Sequence, residues 1–241
     1  MKPGTLIGVG LGPGDPDLLT VRSARLIAQA AVVAYPTLPG TDSFARRIAS
    51  GFISEGTQEI VIEIPITRER APAQAAYDLG AARIADILAL GQDVVVLCEG
   101  DPFFYGSFMY LHARLADRFD TEVVPGITSV AAAAARARTP LTARNEVLAT
   151  VPAPLPDDAI RRRIDIADSL AILKLGNHLG RVRALLNNLG LSDRAIYIER
   201  ATLDDEIVLP LVDAPDPAPY FSMILVTKGA DPWLKPPSSS R

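Results

Sequence analysis

Three turns constrain this chain more than any other feature. Val9-Gly10-Leu11-Gly12-Pro13-Gly14-Asp15-Pro16 follows a short apolar run and precedes a helix-like segment. Gly100-Asp101-Pro102 follows the apolar run 94–98, and Pro125-Gly126-Ile127 follows the run 121–124. A glycine in a strand-to-helix turn lets the backbone approach a ligand, because no side chain intervenes. Turns of this kind on one sheet share the edge made by the carboxyl ends of the strands, and open α/β sheets bind ligands there.

The sequence between these turns alternates. Strand-like runs at 6–10, 31–35, 59–64, 94–98 and 121–124 include several that are almost wholly apolar, as parallel strands covered on both faces must be. Helices are predicted at 20–30, with Thr20 as the cap, and at 73–90, 106–118 and 127–138. Such βα alternation predicts a parallel sheet with right-handed crossovers. The second half differs. Strands are predicted at 147–151, 170–175, 195–199, 207–211 and 223–227, and helices at 160–166 and 179–189. The last strands are joined by turn-like segments, Leu203-Asp204-Asp205 and the proline-rich 213–219, which predicts a mixed sheet with antiparallel members. A boundary is expected near Thr139-Pro140-Leu141, giving an N-terminal domain at 1–138 and a C-terminal domain at 139–235. The Pro/Ser-rich tail at 236–241 is expected to be disordered.

Composition excludes several function classes. The net charge is −4 over 241 residues, with no stripe of interleaved basic and aromatic side chains, so a dedicated nucleic-acid binder is not expected. The basic residues are mostly arginine, which suits bidentate pairing with carboxylate or phosphate, although genome composition produces the same bias. The single cysteine, Cys98, stands in an apolar strand. It reads as a core residue, rules out an intrachain disulfide, and fits a cytoplasmic location. His112 and His178 lack companion ligands, so no metal site is expected. The N-terminus has no signal-peptide pattern. No apolar run reaches the roughly 20 residues needed to span a bilayer, so no membrane partner is expected.

The turns differ from the common nucleotide motifs. A dinucleotide fingerprint needs a third glycine that allows close helix–strand packing. Counting from Gly8 puts Pro13 there, and counting from Gly10 puts Asp15 there, which counts against an NAD-linked oxidoreductase. No Gly-Lys-Ser/Thr follows, so a P-loop is excluded. Asp15 and Asp17 favour a ligand that is neutral or cationic near this loop. After Gly100-Asp101-Pro102, the residues Phe103, Phe104 and Tyr105 offer flat apolar surface, and the Asp101 carboxylate can accept from a ribose or an amine. Thr128 and Ser129 place hydroxyls at a helix start, where they also serve as caps. Each turn alone can be purely structural; the specificity lies in finding all three on one predicted edge. A non-enzymatic nucleotide-binding module remains open at this point.

The ordered set Gly-x-Gly-Pro-Gly-Asp, Gly-Asp-Pro and Pro-Gly-Ile-Thr-Ser resembles the tetrapyrrole (corrin/porphyrin) methyltransferases. The resemblance runs from Leu6 to about Gly229. It implies an α/β fold of two αβα domains, an N-terminal parallel sheet and a C-terminal mixed sheet, with an active-site trough between them. It also implies S-adenosylmethionine as methyl donor, S-adenosylhomocysteine as product, no protein-bound metal, and a homodimer. By resemblance, donor contacts fall on Pro13, Gly100, Asp101, Phe104, Thr128, Ser129, Leu175 and Ala201. Leu175 stands where relatives often carry methionine, and Ala201 where some carry glycine.

Tyr35-Pro36 and the run Gly-Asp-Pro-Phe-Phe-Tyr-Gly-Ser-Phe-Met-Tyr-Leu look most like the branch that methylates precorrin-2 at C20, giving precorrin-3A for cobalamin. Alternatives are cobalt-factor II of the anaerobic route, another corrin-ring position, or relatives that modify a protein or RNA. Relatives that methylate uroporphyrinogen carry an aspartate at the place of Pro36, and its absence removes an inherited catalytic carboxylate. Glu99 and Tyr105 are then the candidate proton acceptors, while Tyr110 reads as a packing residue. The opening turn, with Gly12, Gly14 and Asp15, is assigned to the tetrapyrrole side. Substrate carboxylates call for cations: Arg22, Arg144 and Lys228 are assigned to this role, with Arg25, Arg46 and Arg47 as further candidates. The run Arg161-Arg162-Arg163 reads as a solvated helix face.

Overall fold

The structure is a computed structural model that describes residues 2–65, 69–229 and 231. The tail at 236–241 and the last residues of the expected C-terminal domain lie outside the described residues. The chain divides into two compact units, one ending at Ser129 and one beginning at Val130.

The first unit is a five-stranded parallel sheet: β1 (Leu6–Gly10), β2 (Val32–Thr37), β3 (Gln58–Glu63), β4 (Val94–Cys98) and β5 (Thr121–Val124), in the order β3-β2-β4-β1-β5. Every residue of β1 and β4 is buried, which is why these strands are nearly all apolar. Side chains alternate between two faces. Leu6, Val94, Val96 and Cys98 pack with α3 (Ala71–Ala89) and α4 (Phe108–Leu115). Ile7, Val9, Val95 and Leu97 pack on the other face with α1 (Val21–Gln29) and α2 (Phe44–Ala49). Right-handed crossovers dictate this split. The chain leaves β1 towards β2 and leaves β4 in the opposite direction, towards β5. Their helices therefore fall on opposite faces, and the boundary between β1 and β4 is a topological switch point.

The predicted helices of this unit form, with ends shifted by no more than three residues. Thr20 caps α1 by accepting from the Ser23 amide at 3.1 Å, and the Ser23 hydroxyl donates to the Gly10 carbonyl at 3.0 Å. That pair pins the helix start to the opening turn. Sequence reasoning missed α2. With six residues it is too short to show a helical period, and its one local signal is Ser43, which caps the Arg46 amide.

The second unit holds β6 (Leu148–Pro152), β7 (Ser169–Leu173), β8 (Ala195–Glu199), β9 (Ile207–Pro210) and β10 (Ser222–Thr227), in the order β6-β7-β10-β8-β9. β6 and β7 are parallel, β10 runs antiparallel to both β7 and β8, and β9 runs antiparallel to β8. This is the mixed sheet expected from the turn-like connections. One face carries α6 (Asp157–Ile166) and α7 (Leu179–Asn188). Val130 and Ala133 of α5 (Ser129–Arg136) pack on the other with Ala171, Ile198 and Leu225. Arg161, Arg162 and Arg163 are exposed on α6, as read from the sequence. No helix among the described residues is long and apolar enough to cross a membrane, and none of their His, Cys, Asp and Glu side chains group at metal-binding spacing.

Candidate functional site

The three glycine turns interlock at the switch point of the first sheet. Gly12 and Gly100 form an antiparallel bridge, with Gly12 N–H donating to the Gly100 carbonyl at 3.2 Å and Gly100 N–H to the Gly12 carbonyl at 2.7 Å. The Leu11 amide donates to the Cys98 carbonyl at 2.9 Å. The third turn closes against both. A Cβ on Gly10 would lie 2.4 Å from the Gly126 nitrogen, and one on Gly126 would lie 2.0 Å from the Gly100 oxygen. Gly100 is different: its φ is +64°, and a Cβ there would meet nothing within 4 Å. Backbone is thus packed against backbone behind Gly100, while the space in front of it stays open.

Asp101 ties the second turn to the third. Its Oδ1 accepts from the amides of Phe103 at 2.9 Å and Phe104 at 3.0 Å, and its Oδ2 accepts from the Gly126 amide at 3.1 Å. The aromatic run that follows is tied by ring contacts. Phe103 packs on Phe108 and sets its ring edge-on to His112, with centroids 5.1 Å apart. Phe104 and Tyr105 form an edge-to-face pair at 5.2 Å and are 38% and 48% exposed. Tyr105 has φ +58°, in the left-handed region that a bulky residue seldom occupies, and such strain clusters at functional sites. Gly106 closes the turn, because a Cβ there would lie 2.4 Å from the Asp101 carbonyl oxygen.

Glu99 ends the same strand. Strand alternation puts it on the face of Val95 and Leu97, where its carboxyl accepts from the Ala45 amide of α2. Burial pushes this carboxyl above the ordinary glutamate range, and the one amide offsets that only in part. α2 is held by a second cluster. Arg46 donates to Glu59 through Nε at 2.9 Å and Nη2 at 3.0 Å, and the Tyr35 hydroxyl donates to Glu59 Oε2 at 2.5 Å. Burial first, then the Glu59 carboxylate, push Tyr35 up to about 12, while Arg46 pulls Glu59 down. On the opposite face Cys98 is a buried core residue whose thiol is pushed up by burial. Tyr110 lies against Tyr77 at 4.8 Å, and burial pushes Tyr77 up to about 12.

The structure brings the residues read from the first half to one edge: Gly12, Pro13, Gly14 and Asp15 after β1, Glu99 to Tyr105 after β4, Thr128 and Ser129 after β5. Asp15 caps the next turn by accepting from the Asp17 amide at 2.9 Å. Arg22 pairs with Glu122 at 2.5 Å.

In the second unit, Leu175 and Ala201 also share an edge, because β7 and β8 both run antiparallel to the strand between them. Each follows a left-handed residue: Lys174 has φ +59° and Arg200 φ +48°. Leu175 is fully buried, and Lys174 beside it is exposed. Glu199 is buried, accepting from the Tyr197 hydroxyl at 2.6 Å and pairing with Arg200, which also reaches Asp205 at 2.7 Å. Burial and Glu199 push the Tyr197 hydroxyl strongly up. Arg144 and Lys228 are not brought to this edge. Lys228 follows the antiparallel strand β10, so it lies at the opposite end, where its Nζ donates to the Ile164 carbonyl. Arg144 lies in the loop before β6, 3.8 Å from Asp231. Lys174, a cation directly after the apolar run Leu170 to Leu173, was not singled out from the sequence.

The chain is 43% identical over 236 residues to the cobalamin biosynthesis protein CobIJ of Mycobacterium tuberculosis, an alignment covering 94% of this chain and 46% of that protein. It thus spans about half the length of that relative. It is 39% identical over 232 residues to a precorrin-2 C(20)-methyltransferase from a Sinorhizobium species, covering 92% of this chain and 95% of that one. Among solved structures it is similar to uroporphyrin-III C-methyl transferase from Thermus thermophilus complexed with S-adenosylhomocysteine. The TM-score is 0.65 at 26% identity, covering 92% of this chain and 97% of that one. Residues 5–213, from the strand before the first glycine turn almost to β10, match one family, and the chain belongs to the tetrapyrrole (corrin/porphyrin) methylases.

Proposed function

We propose that this chain transfers a methyl group from S-adenosylmethionine to C20 of precorrin-2, giving precorrin-3A. The observation that carries the reading is the Gly12–Gly100 bridge at the switch point, with open space in front of Gly100. The 39% identical relative of matching length supports the substrate and position. The donor fits this edge. Backbone packed behind Gly100 leaves room in front, and the nearby acidic groups suit a sulfonium better than a phosphate. Pro13, Gly100, Phe104, Thr128 and Ser129 would hold the donor at the edge of the first unit; Leu175 and Ala201, assigned to the donor by resemblance, share an edge of the second.

The donor supplies an electrophilic methyl on a positively charged sulfur. C20 of a reduced tetrapyrrole is an enamine-like carbon nucleophile. Its electron pair forms the new carbon–carbon bond, the methyl–sulfur pair returns to sulfur, and the C20 proton leaves. The chain's task is orientation, which is worth up to about 7–11 kcal/mol of barrier. Phe104 and Tyr105 exclude water with apolar surface held by the Asp101 turn. Glu99 is the favoured proton acceptor, because a carboxyl that burial raises above the ordinary glutamate range is a stronger base for that transfer. Lys174 is the cation offered to substrate carboxylates at the edge that holds Leu175 and Ala201.

Incubation with S-adenosylmethionine and either precorrin-2 or cobalt-factor II tests the reading. One added methyl on precorrin-2, placed at C20 by NMR with a labelled donor, supports it. Turnover of the cobalt compound alone moves the activity to the anaerobic route, and a methyl elsewhere moves it to another ring position. No transfer to either overturns it. The proposal includes a homodimer, which sedimentation velocity tests.

A further inference from the structure

The Asp101 carboxylate stands where a ligand contact would be expected, yet its oxygens already face three backbone amides. Two of them, Phe103 and Phe104, belong to its own turn; the third, Gly126, belongs to the turn after β5. A carboxylate offers about four acceptor positions, so little capacity remains for a ligand. The three contacts also span the site. Through the Gly12–Gly100 bridge the second turn is tied to the first, and through Gly126 it is tied to the third. Phe103 meets this tie through its amide and packs its half-exposed ring against Phe108 and His112, and the exposed pair Phe104–Tyr105 follows directly.

We propose that Asp101 is a positioning residue: its carboxylate sets the Gly126 amide and the Phe103–Phe104 backbone, and it acts on donor and substrate only through them. The inference about ligands rests on the proposed function, but the tie itself can be read in the protein without ligand.

The test is backbone amide hydrogen exchange on the ligand-free chain, wild type against Asp101→Asn and Asp101→Ala, with calorimetric titration of S-adenosylhomocysteine alongside. Asparagine keeps an oxygen for the Phe103 and Phe104 amides but turns an NH2 towards the Gly126 amide, donor against donor. Asp101→Asn should therefore speed exchange at Gly126 while sparing Phe103 and Phe104; Asp101→Ala should speed all three, by about tenfold or more. Affinity for S-adenosylhomocysteine should fall by about tenfold in Asp101→Asn, the equivalent of one hydrogen bond to a charged group. Unchanged exchange in both ligand-free variants with the affinity lost would make Asp101 a direct contact and overturn the proposal. Unchanged exchange with unchanged affinity overturns it too. If Asp101→Ala does not fold, Asp101→Asn decides alone. A wild-type chain that binds no S-adenosylhomocysteine would sink the proposed donor, while the exchange data would still judge the tie.

Discussion

Gly126 approaches Gly100 so closely that a Cβ on Gly126 would stand 2.0 Å from the Gly100 carbonyl oxygen and 2.8 Å from the Gly10 Cα. Both neighbours are backbone, so neither can rotate away. Gly126→Ala must push the third turn off the first two, at a cost of about 3 kcal/mol or more. Chemical denaturation measures the loss, and S-adenosylhomocysteine affinity should fall with it. Gly56→Ala is the control. It has open space but φ +82°, so it should cost only the left-handed penalty of about 1–2 kcal/mol. Equal costs for the two variants would mean that the turns are not packed as described.

Tyr35, Glu59 and Arg46 fix α2, and with it the Ala45 amide that faces Glu99. Tyr35→Phe removes one donor while Arg46 keeps Glu59 paired, so the expected cost is about 1 kcal/mol at neutral pH. The hydroxyl is pushed up to about 12. Its contribution is therefore fully present below the ordinary tyrosine value of about 10 and is lost as pH rises through the raised one. Denaturant midpoints of wild type and Tyr35→Phe should draw together over that alkaline window. A difference that stays constant to pH 12 would rule out the raised hydroxyl.

Much of this architecture was legible because long-range rules act on local signals. Parallel strands buried on both faces must be apolar runs, and β1 and β4 read that way; the antiparallel members of the second sheet were announced by connections too short for crossovers. α2 was not legible, since six residues hold no period. Site geometry was legible only as far as backbone chemistry is written in glycine. The turns at Gly10, Gly100 and Gly126 could be assigned to one edge, but the Asp101 tie could not, because Asp101 and Gly126 are 25 residues apart in sequence. Arg144 and Lys228 were chosen by charge, and charge carries no information about which end of a strand a residue occupies. Lys174 and Arg200 carry left-handed backbone without glycine, so composition gave no sign of them.

Glu99 should make the protein sensitive to pH. Its carboxyl is pushed up by burial, and a raised acid contributes stability that is present below the ordinary glutamate value and lost as pH rises through the folded value. Wild type should therefore lose stability as pH rises above the ordinary glutamate value, relative to Glu99→Gln, whose amide carries no charge at any pH. Thermal unfolding across that range measures the crossing. If Glu99 also receives the C20 proton, Glu99→Gln should lower kcat and remove the acidic limb of the pH–rate profile, leaving S-adenosylhomocysteine affinity unchanged. A variant with a wild-type pH profile would assign the proton to another group.

Lys174 separates stability from function. Its left-handed backbone, φ +59°, favours glycine by up to about 1–2 kcal/mol, a gain reduced by the greater freedom of glycine in the unfolded chain and by the loss of the lysine's own contacts. Lys174→Gly should therefore fold as well as wild type or slightly better. A cation that binds substrate carboxylates contributes about 1 kcal/mol when exposed, so the same variant should raise KM for the tetrapyrrole by about fivefold. Affinity for S-adenosylhomocysteine should hold, because Leu175 and Gly176 keep their places. Lys174→Arg should recover most of the lost KM, since it restores the charge but not the glycine. A stabilised glycine variant with unchanged KM would show that the strain at Lys174 serves the turn alone and that substrate carboxylates are met by other cations.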